Sequence, residues 1–299
     1  KGKLFAEYKP RIQVLATGQF GNINGMRYWF VDAQTVFNPG IPLFAGINAY
    51  GFGGGAWYNM SQTSPPPSAK DVRDTDPDKD KYVPGMTLSG AVYKPTPDVP
   101  LGLKATLIFG TMGDEDVFNG DLTLSLQMSG SSISYIKLGG DFYFMSDIYE
   151  RTDPQVWAKG EIKYDFDVDE LSGSMDVFMN AKGGALKGVS GGAQYKAGRL
   201  ELLINSDDWH VFAGTPDSPI ALEFINLFET QSYLMVGTDL PPFPGPPEYF
   251  DLPSINQRLD DALGNGSGLA FGSKTSIQDT SKFYFLKIKI DAMMGFDLS

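Results

Sequence analysis

Apolar and polar residues alternate along most of this chain. In 101–109, Leu101, Leu103, Ala105, Leu107 and Phe109 share one face, while Lys104 and Thr106 point the other way. Leu122, Leu124, Leu126 and Met128 alternate with Asp121, Thr123, Ser125 and Gln127, and Ile162, Tyr164, Phe166 and Val168 oppose Glu161, Lys163, Asp165 and Asp167. A fourth run sets Tyr284, Leu286, Ile288, Ile290, Ala292 and Met294 against Lys287, Lys289 and Asp291. One oily and one wet face predicts antiparallel strands, because parallel strands covered on both sides form continuous apolar runs. The oily sides are expected to meet in a shared interior, and the wet sides to face water.

The joints between runs agree. Asp169-Glu170, Lys196-Ala197-Gly198 and Ser206-Asp207-Asp208 are polar and too short for helical crossovers. Residues 157–213 predict an up-and-down meander of about five strands, and the whole chain about fourteen to eighteen. The predicted fold class is all-β: a large antiparallel up-and-down sheet system, rolled or barrel-like, with one short helix. That helix is expected at 255–263, where Ser254 can cap it, Ile255, Leu259 and Leu263 form a stripe, and Gly264 can end it.

Two segments break the rhythm. Residues 62–84 carry Pro65-Pro66-Pro67 and then Asp71, Asp74, Asp76, Asp78 and Asp80, which predicts a long surface loop. Residues 239–254 carry Pro241, Pro242, Pro244, Pro246, Pro247 and Pro253, an extended and stiff stretch. Strands of the same character lie on both sides of each. The expectation is one extended β domain over 1–299, with 62–84 or 239–254 as the place for any internal break.

Composition then removes chemistry. No cysteine is present, which excludes disulfides, thiolate metal sites and cysteine nucleophiles. His210 is the single histidine, so a multi-histidine zinc or iron site cannot form within one chain. The net charge of −12 repels nucleic acid and anionic lipid. No basic segment followed by an apolar one opens the chain at Lys1, and no apolar run is long enough for a membrane helix. The opening Lys1-Gly2-Lys3 and the end in mid-pattern at Ser299 are what a segment of a longer polypeptide would show.

The remaining candidates are few. Gly188-Val189-Ser190-Gly191-Gly192 matches G-x-S-x-G, but a nucleophile elbow needs a strand-to-helix turn, and no helix-forming stretch follows Ser190. A glycine-rich hairpin tip fits better, with His210 a half-buried strand residue beside Trp209. Gly51-Phe52-Gly53-Gly54-Gly55 lacks the Lys-Ser/Thr of a phosphate loop and predicts a bent or closely packed strand with aromatics leaning over it. Asp74, Asp76, Asp78 and Asp80 place carboxylates at every second residue, a spacing found in calcium loops. The EF-hand glycine and twelfth-position glutamate are missing. Asp114-Glu115-Asp116 is a weaker acidic tip. Paired carboxylates for glycoside cleavage depend on the fold and not on spacing. Region 27–58 is the most aromatic of the chain, and Trp29, Tyr50 and Trp57 are its candidate sugar-stacking platform.

Residues 205–216 (Asn205 to Pro216), Gln231-Ser232-Tyr233-Leu234-Met235-Val236-Gly237-Thr238, the proline run from Pro241, and 262–272 (Ala262 to Gly272) occur in a familiar order. Over 198–299 the chain resembles a segment of the very large, mostly β, uncharacterised cell-envelope proteins of Bacteroidota, some of which are linked to type 9 secretion and gliding. The resemblance implies an exported protein of the periplasm, outer membrane or cell surface, and assigns no catalytic residue.

The leading functional expectation is a non-enzymatic structural or interaction module of the bacterial envelope, with a protein partner and no cofactor other than a candidate calcium ion. The alternatives are an outer-membrane β-barrel and a carbohydrate-binding or carbohydrate-cleaving β domain that takes a glycan. Soluble ranks above membrane-embedded because Gly102 and the weakly apolar faces around 187–199 interrupt a continuous lipid-facing band.

Overall fold

The computed structural model describes residues 1–8, 12–44, 46–76, 83–97, 99–241, 266–278 and 287–297. They form an all-β fold with a large antiparallel sheet system, eighteen strands and one short helix among the described residues. The expected helix at 255–263 lies outside them.

The chain divides into two compact units, Lys1–Pro154 with Lys163–Asp167, and Gln155–Ile162 with Val168–Ser299. The division falls in neither proline-rich segment. In the first unit β1 (Gly2–Tyr8), β2 (Ile12–Ile23), β3 (Met26–Phe44) and β4 (Ile47–Tyr58) pair in sequence order. The chain then leaves this sheet for an insert containing β5 (Met60–Gln62), α1 (Ala69–Arg73) and β6 (Tyr93–Pro95), in which β5 and β6 make a small sheet of their own. It rejoins as β7 (Leu101–Thr111), which pairs with β4 and is followed by β8 (Phe118–Ser129) and β9 (Ser132–Phe144).

The insert corrects the expectation of a surface loop at 62–84. Ser68 accepts from the Asp71 amide at 3.3 Å, and the Asp71 carboxylate accepts from the Ser68 amide at 2.9 Å. This reciprocal cap starts a helix of five residues where prolines and carboxylates suggested none. Its Ala69 and Val72 are fully buried against Leu15, Val36, Tyr50 and Ile108 of the large sheet. The insert is therefore part of the core.

Strand β10 (Val156–Asp165) crosses the division between the units. In the second unit β11 (Glu170–Ala181) pairs with β12 (Leu186–Gly188) near one end and with β13 (Lys196–Ile204) along the rest. Next come β14 (Trp209–Ala213), β15 (Ile220–Phe224) and β16 (Phe228–Gly237). One edge of β16 is shared by β15 over its first half and β14 over its last, while β17 (Gly268–Gln278) runs along the other. β18 (Lys287–Asp297) pairs with β17. The 157–213 stretch holds five strands, as its alternation predicts, but they are not an up-and-down meander, because β13 pairs with β11 and β12 pairs with β15. Lys196-Ala197-Gly198 is not a joint, however. It opens β13, because Lys196 meets the Asp176 carboxylate of β11 at 2.8 Å and so fits a sheet face. A core of Phe212, Tyr233, Met235, Leu240 and Ala270 completes this unit.

Candidate lipid-facing surface and interior polar cluster

The registers define what each face of the sheet carries. Across β1–β4 and β7–β9 of the first unit, one row of cross-strand neighbours is Leu4, Ala16, Ala33, Gly54, Ala105, Leu124 and Leu138. The adjacent row, one residue along each strand and on the opposite face, is Lys3, Thr17, Asp32, Gly55, Lys104, Ser125 and Lys137. Burial runs opposite to the expected direction. Leu124 is 48% exposed and Phe20 72%, whereas Lys104 is 6% exposed and Asn119 0%. The oily side of this sheet faces outward and the polar side faces in.

The outward face has a fringe at each end. Phe20, Trp29 and Tyr58 sit side by side on β2, β3 and β4, with Trp29 stacked on Tyr58 at 6.4 Å. At the other strand ends lie Phe37 and Phe52, in contact at 5.5 Å, and the cluster of Phe109, Phe118, Phe142 and Phe144. Between the fringes the outward positions of these strands are small or aliphatic, with Thr35 among them, and none is charged. Trp29 and Phe37 lie eight positions apart on β3. That is about 26 Å of strand, or about 20 Å of height at the usual tilt. Gly102, expected to interrupt such a band, belongs to the other face. Its missing Cβ leaves room for the Trp57 indole, which would stand 2.1 Å from that atom.

The second unit repeats the arrangement. Met175, Leu200, Ala213, Leu234, Phe271 and Met294 are cross-strand neighbours over six strands. Leu234 and Met294 are both exposed. On the opposite face Asp176 lies beside Lys196 and Arg199, and Arg199 Nε contacts Glu201 at 2.9 Å.

The inner face of the first unit is sealed by the insert. Lys104 Nζ lies 2.6 Å from Asp32 Oδ2, and both side chains are almost wholly buried. The Tyr93 hydroxyl donates to Asp32 at 2.7 Å, and Lys104 donates to Gln62 at 3.0 Å. Burial pushes the Tyr93 phenol up, with the neighbouring Asp32 carboxylate adding to it. Three more wall side chains bind insert backbone: Thr17 accepts from Leu88 N–H, Gln19 accepts from Gly85 N–H, and Gln13 donates to the Arg73 carbonyl. Gly55 makes the cluster possible, since a Cβ there would meet Lys104 Cε at 3.1 Å and Asp32 Oδ2 at 3.2 Å. The glycines of β4 thus sit under neighbouring side chains as expected. Polar groups lean over Gly53 and Gly55, among them at Gly55 the hydroxyl of the aromatic Tyr93.

The other candidates are placed as follows. The stacking platform of Trp29, Tyr50 and Trp57 does not form. Tyr50 is buried with Leu15 and Ile108, Trp57 is buried against Phe30 and Tyr93, and Trp29 lies on the opposite, outward face. Alternate strand residues point to opposite faces, so aromatic density along the sequence gave no shared surface. Asp74 ends α1 and takes hydrogen bonds from Lys70 at 2.5 Å and Arg73 at 3.2 Å, which hold its carboxyl below the usual range. Asp78 and Asp80 lie outside the described residues. No group of three or more His, Cys, Asp or Glu able to hold a metal is found among the described residues. Ser190 sits in the turn before β13, its hydroxyl buried without a hydrogen-bond partner, and His210 stacks on Phe212 at 4.1 Å. Asp116 of the acidic tip has its carboxyl raised by burial and by Asp147. The chain matches no protein-family model, no curated protein and no solved structure.

Proposed function

We propose that this chain is a non-catalytic, membrane-embedded β protein of the outer-membrane barrel type, with the apolar sheet faces set against lipid and the polar faces within. One observation supports the reading above the others. Seven strands carry an uncharged, outward-facing apolar surface, while the row one residue away holds Lys3, Asp32, Lys104 and Lys137. A protein surrounded by water rarely exposes a contiguous apolar patch beyond a few hundred Å². The aromatic fringes favour lipid over a protein partner as the covering medium, because Trp, Tyr and Phe collect at the two edges of a bilayer. The resemblance of 198–299 to exported envelope proteins points to the same compartment. The interior charges suit a scaffold, since Asp32 and Lys104 satisfy each other and the insert.

The test is flotation. The chain, refolded from urea with phosphatidylcholine vesicles, should rise with them in a density gradient, resist a carbonate wash, and keep its β-type circular dichroism. A chain that stays monomeric and folded in buffer without detergent or lipid overturns the reading.

A further inference from the structure

The two units treat their polar faces differently. In the first, the insert closes over the wall, and the seal has apolar as well as polar parts. Ala69 and Val72 pack on Leu15 and Ile108, and Tyr93 stacks on Phe30 at 4.6 Å. Lifting the insert would wet these side chains as well as break its hydrogen bonds, so this wall stays dry. In the second unit the corresponding face of β11 and β13 is open, and β14 adds His210 at its edge while Phe212 is buried in the core. The Arg199 and Glu201 side chains are 42% and 38% exposed. A cavity of about 270 Å³ lies over this face, lined by Glu161, Ser172, Ser174, Arg199, Glu201 and His210. Two carboxylates there face one guanidinium, and the imidazole stacks on Phe212.

We infer that the polar wall of β11 and β13, with His210 at its edge, lines a water-filled compartment that admits small hydrophilic solutes and favours cations, while the wall under the insert excludes water. This inference rests on the membrane-embedded reading, which assigns the opposite face of the same strands to lipid. The net negative lining at Glu161 and Glu201 concentrates cations, because low-dielectric walls focus the field of fixed charges. Arg199 keeps the lining from binding one cation tightly, since it already engages Glu201.

The chain has no cysteine, so single cysteines report directly on solvent access. Five variants of the full chain in vesicles are treated with membrane-impermeant methanethiosulfonates, one bearing a quaternary ammonium and one a sulfonate. Ser172→Cys and Ser174→Cys should react with both, and about tenfold faster with the cationic reagent once each rate is divided by that of a small free thiol with the same reagent. Adding Glu201→Gln should cut that preference at least twofold. Thr17→Cys and Gln34→Cys, at positions only 3% exposed on the inward face of β2 and β3, should remain unmodified until urea is added. Leu234→Cys, on the outward face, should be shielded in vesicles. A shielded Leu234→Cys with unreactive Ser172→Cys and Ser174→Cys overturns the compartment and leaves the membrane reading standing. A reactive Leu234→Cys overturns the membrane reading itself. Equal normalised rates for the two reagents overturn the cation preference, and rapid labelling of Thr17→Cys overturns the dry wall. Unchanged β-type circular dichroism of each variant separates these outcomes from misfolding.

Discussion

Lys104 and Arg199 occupy similar positions on inward sheet faces, and their surroundings set them apart. Lys104 is packed under the insert with Asp32, Tyr93 and Gln62, out of reach of water. Arg199 stands on an open wall with Asp176 and Glu201, half in solvent. The same kind of ion pair therefore has a different energetic meaning in each. Water screens the open pair and can replace either partner, so it contributes little. The covered pair has lost its hydration, and each charge depends on the other.

The widest gap between the two should appear on removing one partner. Lys104→Met leaves Asp32 buried with the Tyr93 hydroxyl as its remaining donor, and should cost about 3–5 kcal/mol in urea unfolding. Arg199→Met should cost under about 1 kcal/mol by the same measurement. The double change Asp32→Asn with Lys104→Met should recover most of the first loss, and equal losses for Lys104→Met and Arg199→Met would erase the distinction. A smaller effect is expected from Gly55→Ala, whose new methyl group crowds Lys104, Asp32 and the Tyr93 hydroxyl at 3.1–3.2 Å. Overpacking of this kind typically costs about 1–3 kcal/mol. A neutral result would show that the covered cluster is loosely packed.

The mildest probe is alkaline pH. Tyr149 packs with the foot of the insert, its ring under the Arg73 guanidinium at 4.7 Å, and burial pushes its phenol up to about 12 from 10.0. Below pH 10 both folded and unfolded chains keep this proton. Above it the unfolded chain releases the proton while the folded chain holds it, so stability falls as pH rises from 10 to about 12. Tyr149→Phe should flatten that part of the pH–stability curve, and an unchanged slope would locate the alkaline sensitivity elsewhere.

The alternation of Leu101 to Phe109 and of Leu122 to Met128 was enough to place strands and their two faces. It could not say which face meets water. A period of two is symmetric, and the same pattern describes a sheet packed on an oily core and one turned inside out in lipid. Gly102 could mislead for that reason: it sits on the polar side, where an indole needs the space. The cap of α1 was present in Ser68 and Asp71, obscured by the neighbouring prolines and charges. The interior cluster was not legible at all. Tyr93 reaches Asp32 across 61 positions, and Leu88 reaches Thr17 across 71. Such pairings are decided by sheet register and have no local trace.

The small β5–β6 sheet also bears on how the first unit assembles. Partners β4 and β7 are separated by the whole insert, and closing a flexible loop of that length carries a conformational-entropy cost that grows with its logarithm. Pairing Met60 with Pro95 ties the loop at its neck, next to Tyr58 and Leu101. Once this clasp has formed, the two long strands are tethered by a few residues on each side. The insert then acts as a shortcut, making a distant strand pairing almost as local as a hairpin.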